Sequence, residues 1–293
     1  MISTPIRRLS RAQKMILSWY SINGRQGLPW RTTRDPYRVL VSELMLQQTQ
    51  VSRVIPKYAA FIADFPTIQS LADAERTAVL RRWQGLGYNN RAVRLHALAK
   101  LVRDEYGGRI PRDYEGLRKL PGIGPYTAGA IMGFAYDSPA PCVDVNIQRV
   151  IARIGWDAKR GVSHDEIAEA ALRLVTASRS PHEWHSALMD FGSTVCTAKN
   201  PGCASCGLRG ICASKGARGD ENDASAPQSR FSGSVRWHRG QVLRALLQGP
   251  KTVQELQSIK SADKELLQEA IAAMERERLI KLRGMRVILR NDG

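Results

Sequence analysis

The chain of 293 residues predicts an all-α body followed by a small module of helices and one hairpin. Three observations carry that expectation. From residue 11 to about 212 apolar residues recur three and four positions apart, the spacing that lines one face of a helix. Alternating strand patterns are nearly absent over the same stretch. Gly, Pro, Asp and Asn break it at Gly24 to Pro29, Asp35-Pro36, Phe65-Pro66, Gly107-Gly108 and Asp137-Ser138-Pro139, so the helices are short and the loops tight.

In order, helical segments are expected at Ala12 to Tyr20, Val39 to Val51, Ala72 to Trp83, Arg91 to Tyr106, Tyr126 to Ala135, Ile147 to Ile154 and Glu166 to Thr176. Residues 213–230 are small, polar and charged, and read as a linker. Beyond it, Gly240 to Leu247 and Asp263 to Arg276 look helical. Leu279 to Leu282 and Val287 to Leu289 flank Arg283-Gly284-Met285 like a hairpin, which suggests a winged-helix-like module over 231–293. Sixty or so residues make a marginal core, so an appendage that only packs on the body fits as well.

Charge narrows the partners. Lys and Arg number 44 against 27 Asp and Glu, a formal charge of +17, which points to a polyanion such as nucleic acid. No run of about 18 apolar residues is present, and the first residues lack the apolar core of a secretory signal, so an intracellular compartment without membrane contact is expected.

Four of the five cysteines are spaced Cys196-x6-Cys203-x2-Cys206-x5-Cys212. Four thiolates in so short a run fit a [4Fe–4S] cluster or an all-cysteine zinc site. The long first gap is unlike the paired C-x2-C of zinc ribbons and favours iron–sulfur. Disulfides are the weaker reading in a chain large enough to fold without them. The fifth, Cys142, reads as a small buried residue.

Leu120-Pro-Gly-Ile-Gly124 lies between two helical segments. Gly122 and Gly124 permit a sharp turn whose amides can approach a phosphate, a candidate helix–hairpin–helix, although alone such a run is more often a plain loop. Asp144 stands at a helix start, where capping is its default role. Glu43 is the one charge among Leu40, Val41, Leu44, Met45 and Leu46, so it must be paired with a cation or kept protonated as a general acid.

Taken together, Leu28-Pro-Trp-Arg31, Ser42 to Val51, Gly85-Leu-Gly-Tyr88, Leu120 to Gly124 with Thr127-Ala-Gly-Ala130, Val143-Asp144 and the four cysteines resemble the adenine DNA glycosylases of the MutY type, over residues 10 to 215. The resemblance implies the helix–hairpin–helix DNA glycosylase fold shared with endonuclease III: a six-helix barrel module, a cluster module and a DNA cleft between them. Mapped onto this chain, residues 1–27 form an N-terminal helix packing with the cluster module, 28–140 the barrel module, and 141–212 the catalytic Asp helix and [4Fe–4S] module. Cys196, Cys203, Cys206 and Cys212 would ligate the cluster, in a structural role, with Lys199, Arg209 and Lys215 presented to phosphates.

The resemblance also implies a mechanism. Adenine is flipped from the duplex, Glu43 protonates its N7, and the Asp144 carboxylate stabilises the oxocarbenium sugar. Tyr126 and Asn146 would orient the acid, the water or the sugar. Endonuclease III relatives carry a Schiff-base lysine where Tyr126 stands, so a monofunctional enzyme is expected. Gln48 and Tyr88 would wedge into the stack, Thr49 and Leu86 would face the opposite base, and Trp30, Arg31 and Ser186 would line the base pocket. As the lesser alternative, Trp30, Leu86 and Tyr88 read as ordinary core residues.

The chain departs from the family at three points. Ser186 stands where Gln or Glu is frequent, Val145 replaces the glycine of Val-Asp-Gly-Asn, and the last 63 residues are too few for the nudix-like domain that reads 8-oxoguanine. The expected substrate is double-stranded DNA carrying adenine opposite 8-oxoguanine or guanine, acted on by a monomer. Thymine or uracil removal opposite guanine is the alternative reading. A silent iron–sulfur DNA-binding protein is a third, disfavoured because both acids are present.

Overall fold

The computed structural model describes residues 3–157, 161–214, 230–259 and 263–290; most of the expected linker and Lys215 lie outside them. Their contacts divide the chain into two compact units, Met1–Glu43 with Ile110–Ala226 and Leu44–Arg109 with Pro227–Gly293.

The first unit contains α1 (Thr4–Asn23), most of α2 (Pro36–Leu46), α7 (Tyr114–Lys119), α8 (Pro125–Phe134), α9 (Val145–Gly155), α10 (His164–Thr176) and α11 (Pro181–Thr194). Helices α1, α9, α10 and α11 share one apolar core, in which Leu9, Ile16, Val150, Ile151, Leu174 and Trp184 are each at most 2 % exposed. Gln13 enters that core by donating to the Leu174 carbonyl at 2.8 Å, so its burial leaves no amide hydrogen stranded there. Capping fixes the helix starts. Ser163 and Glu166 form a reciprocal capping box at α10, and Ser180 accepts from the Glu183 amide at α11.

The second unit begins with the end of α2 and continues through α3 (Val51–Asp64), α4 (Ile68–Asp73), α5 (Arg76–Trp83) and α6 (Asn90–Glu105). The C-terminal residues add α12 (Val235–Leu246), β1 (Lys251–Thr252), α13 (Val253–Gln257), α14 (Lys264–Arg276), β2 (Ile280–Arg283) and β3 (Arg286–Leu289). The strands form one antiparallel sheet in the order β1-β3-β2, the topology of a winged helix. Arg76 donates to the Arg278 carbonyl at 2.9 Å and Arg81 to that of Leu247 at 3.3 Å, tying the module to α5 within this unit.

Two expectations change. The segment 28–140 is not one unit: 28–43 and 110–140 fall with the helices around the cysteines, because α7 packs on α8 and α8 on α11. The single helix expected over 72–83 is two, α4 and α5, since Thr67 with Ser70 caps the first and Ala74 ends it in extended backbone. Helices α3, α7, α11 and α13 and strand β1 are elements that the periodicity leaves open.

Gly129 shows why α8 needs its small residues. A Cβ there would stand 2.0 Å from the Pro141 carbonyl oxygen, in the segment that leads to Asp144. At Gly124 a Cβ would meet nothing within 4 Å. Gly129→Ala should therefore lower stability by about 1–3 kcal/mol and Gly124→Ala by much less, as read by urea unfolding. Equal losses would show that the helix yields to the clash.

Candidate active site and cysteine loop

Glu43 sits in the last turns of α2 and is 5 % exposed. Its Oε2 accepts from the Tyr126 hydroxyl at 2.9 Å. The carboxyl is raised to about 7, by burial first and also by the nearby Asp144 charge, against the Tyr126 bond and the Arg31 guanidinium, which lower it. A carboxylic acid so placed is close to half protonated at neutral pH, as a general acid requires. The Tyr126 phenol is pushed well above its ordinary value, by burial first and by the Glu43 charge next. It stays a hydrogen-bond donor.

Asp144 caps α9, and capping and a site role coincide in it. Its Oδ1 accepts from the Ile147 amide at 2.7 Å, and its Oδ2 accepts from Asn146 Nδ2 at 2.9 Å. The Asn146 amide oxygen in turn accepts from Arg149 at 2.8 Å. Arg149 also donates to the carbonyls of Gly192, at 2.8 Å, and Cys196, at 2.9 Å. One turn further along α9, Arg153 donates to the Thr197 and Ala198 carbonyls at 2.8 and 3.2 Å and lies 3.7 Å from the Cys196 sulfur. Sequence reasoning missed both arginines, whose partners are mostly backbone carbonyls far along the chain.

The four cysteines line one cavity, walled by Phe191, Val195 and Leu208 with Arg153 at its side. Burial raises the Cys196 and Cys206 thiols, and Arg153 opposes the rise at Cys196. Among the described residues no group of three or more His, Cys, Asp or Glu side chains forms a single-ion site. Cys142 is buried and its thiol is pushed up by burial, as a packing residue's would be.

The remaining predicted residues separate. Arg31 is held by Asp190 at 3.1 Å and by the Tyr20 hydroxyl at 3.0 Å; Arg25 meets the same carboxylate at 2.6 Å. Burial raises Asp190, but the two arginines outweigh it and the group lies below the ordinary range. Arg31 is thus anchored within the first unit, and the ion pair accounts for it as well as a base pocket does. Trp30 is buried, and Ser186 is wholly buried, with a hydroxyl that no hydrogen bond satisfies. In the hairpin, Gly122 has φ +83°, whereas Gly124 is an extended N-cap of α8.

In the second unit Gln48 and Tyr88 are exposed and both adopt left-handed backbone, φ 51° and 45°. Leu86 is buried and Thr49 half-buried. Arg91, another residue missed in the sequence, fixes both turns: it donates to the carbonyls of Leu44, Met45, Gln47, Leu86 and Gly87 and to the Thr49 hydroxyl.

A carboxylic acid raised by burial, a second carboxylate capping a helix close by, and a hairpin with two closely spaced glycines define the class. Residues 41–177 match the family "HhH-GPD superfamily base excision DNA repair protein". The chain is 39 % identical over 232 residues to an adenine DNA glycosylase of Mycolicibacterium smegmatis, covering 79 % of this chain and 78 % of that protein. It is 41 % identical over 209 residues to that of Homo sapiens, covering 67 % of this chain but only 38 % of the human protein. A solved thermostable thymine-DNA glycosylase superposes with TM-score 0.66 at 30 % identity, covering 71 % of this chain and 97 % of that one. The chain belongs to the adenine DNA glycosylases of the helix–hairpin–helix superfamily. Among its described residues no helix is long and apolar enough to cross a membrane.

The Glu43 shift has a thermodynamic consequence. Between the ordinary value of 4.5 and about 7 the folded chain keeps a proton that the unfolded chain releases. Stability from this group is therefore greatest below about pH 4.5, falls as pH rises from there to about 7, by roughly 3 kcal/mol in all, and is level above. Relative to the parent, Glu43→Gln should gain stability as pH rises from ~4 to ~7 and keep that gain unchanged near pH ~8.5. Thermal unfolding across pH tests this; a pH-independent difference would mean that Glu43 is ionised throughout.

Proposed function

We propose that this enzyme hydrolyses the N-glycosidic bond of adenine mispaired with 8-oxoguanine or guanine in duplex DNA, without cutting the strand. The observation that carries the reading is the pairing of unlike acids. Glu43 is dry, hydrogen-bonded to Tyr126 and raised to about 7, while Asp144 is held through both oxygens by donors. The first can give a proton to adenine N7, turning a poor leaving group into a good one. Thymine has no N7 for it to protonate. The second, fixed in position by Ile147 and Asn146, presents negative charge to the sugar as positive charge develops.

Tyr126 orients Glu43 and cannot form a Schiff base, so the abasic product strand is left intact. The wedge role falls to Gln48 and Tyr88, which are exposed on turns that Arg91 makes rigid. Thr49 and Leu86 adjoin them in the sequence and would face the opposite base. Gly122 and Gly124 offer backbone amides to a phosphate.

Cys196, Cys203, Cys206 and Cys212 would hold a [4Fe–4S] cluster; their spacing and the one cavity that all four line support this reading. The cluster's contribution is structural: it would join residues 196–212 into one loop. Arg149 and Arg153 already bind that loop to α9 through its carbonyls. Purified protein should carry about four irons per chain, and stoichiometric zinc without iron in anaerobic preparations would reject the assignment.

The decisive experiment is single-turnover base release from A:8-oxoG, A:G, T:G and U:G duplexes. Adenine should be released and the pyrimidines retained. Asp144→Asn and Glu43→Gln should each slow release at least 100-fold, about 3 kcal/mol in barrier, and the parental rate should fall as pH rises above about 7 while Glu43 loses its proton. Product strands should break only after hot alkali. Rates within threefold of the parent for either variant would make that residue a cap or a packing partner.

A further inference from the structure

The C-terminal module has its charge on an unexpected helix. In helix-turn-helix proteins the second helix of the motif enters the DNA groove, which here is α14. That helix carries Glu265, Glu269 and Glu275 against Lys264 and Arg276. Helix α12 instead carries Arg236, Arg239 and Arg244 and no acid. Repulsion from phosphates disfavours α14 as the groove-reading element, and attraction favours α12.

Within the second unit α12 forms one wall of a cleft of about 610 Å³. The other wall is made by the turns at 48–50 and 84–89 and by Arg53 of α3. The lining holds four arginines and no Asp or Glu. Arg239 is engaged by Glu277, Arg244 donates to the Gln241 amide oxygen at 3.4 Å, and Arg236 also has a partner within the chain. Two aromatic rings in the lining are solvent-exposed, Phe231 at 58 % and Tyr88 at 41 %. The turn residues Gln48 and Tyr88 are held in left-handed backbone that non-glycine residues seldom adopt, a strain that clusters at ligand clamps. Arg91 pins both turns through five carbonyls, so the wall is rigid before anything binds.

We propose that this cleft is a DNA subsite built jointly by the C-terminal module and the two strained turns: Arg53, Arg236 and Arg244 hold phosphates, and an unstacked base rests against Phe231 and Tyr88. Guanidinium groups interleaved with exposed rings match a nucleic-acid strand, whose backbone is anionic and whose bases present π-faces. An acidic peptide would use the charges but leave the rings idle. The inference rests on the reading that the substrate is duplex DNA, and extends it to residues that the family match at 41–177 does not reach.

The test is binding of the full chain to an A:8-oxoG duplex across a salt series, with thermal melting as the folding control. Arg236→Glu/Arg244→Glu should weaken binding at least tenfold near 0.1 M salt and make the log–log salt slope shallower by about 2, the loss of two phosphate contacts. Phe231→Ala should weaken binding about tenfold with the slope unchanged, as loss of stacking would. Lys264→Glu/Arg276→Glu on α14 should bind within threefold of the parent. Should the reversed pair melt, Arg236→Gln/Arg244→Gln replaces it, with the same change of slope expected. Parental affinity and slope in the α12 variants, or a larger loss from the α14 pair, would overturn the inference. Adenine release by the parent reports separately on the function: if release occurs while the α12 variants bind normally, this inference alone fails. If affinity falls as described without any release, only the adenine reading fails.

Discussion

The carboxylate of Asp144 is shared between a helix and a network. One oxygen stabilises the start of α9 by accepting from its third amide, a capping bond of about 1 kcal/mol in most contexts. The other oxygen is held by Asn146, whose own oxygen is held by Arg149. Because Arg149 also bonds the carbonyls of Gly192 and Cys196, four points in the chain are set by a run of charge-assisted and amide hydrogen bonds. Loss of any middle member would leave a buried polar group unsatisfied, so the position of the carboxylate and the packing of the cysteine loop are parts of one arrangement. The close approach of α8 at Gly129 to the Pro141 carbonyl also constrains the segment that leads to Asp144.

Against this fixed carboxylate, Glu43 gains its character from what surrounds it. Apolar neighbours on α2 remove water, and the resulting desolvation exceeds the help given by Tyr126 and Arg31. Arg31 could have neutralised the acid and made it an inert ion pair. It does not, because Asp190 and Tyr20 claim its guanidinium, with Arg25 adding a second cation to the same carboxylate. The Asp190 cluster thus keeps a cation near Glu43 without allowing it to capture the proton site.

How much of this was legible in the sequence follows from what each residue type must satisfy. A lone glutamate in an apolar helix face, an aspartate at a helix start and four cysteines within seventeen positions each pose a local chemical problem, and the structure resolves them locally. Arg149, Arg153 and Arg91 could not be read in that way. A buried arginine is satisfied by carbonyls far along the chain, and backbone acceptors leave no trace in the order of side chains. Helix α3 was obscured by Pro56 within it, and α7 is too short for a period to show. The grouping of 110–140 with the first unit rests on non-local contacts such as those between α8 and α11, which no window of sequence reports. Ser186, placed in a pocket by resemblance, is fully buried, and its hydroxyl meets no hydrogen-bond partner among the described residues.

The C-terminal residues illustrate how a marginal core becomes a usable wall. About sixty residues bury too little apolar surface to be secure alone, and the small sheet adds only two strand pairings. Leu243, Leu256, Leu267, Met274, Leu279 and Val287 provide a core nonetheless, each at most 1 % exposed. Arg76 and Arg81 then supply donors to the carbonyls of Arg278 and Leu247, one at the turn before β2 and one at the end of α12. Those two bonds fix the direction of α12 relative to α5. With α5 set, the turn at 84–89 that follows it and the arginine-bearing face of α12 are both lining walls of the same cleft. A module docked through its strands alone would leave α12 free to rotate, and its charges would then be a general attraction for polyanions rather than the wall of a site.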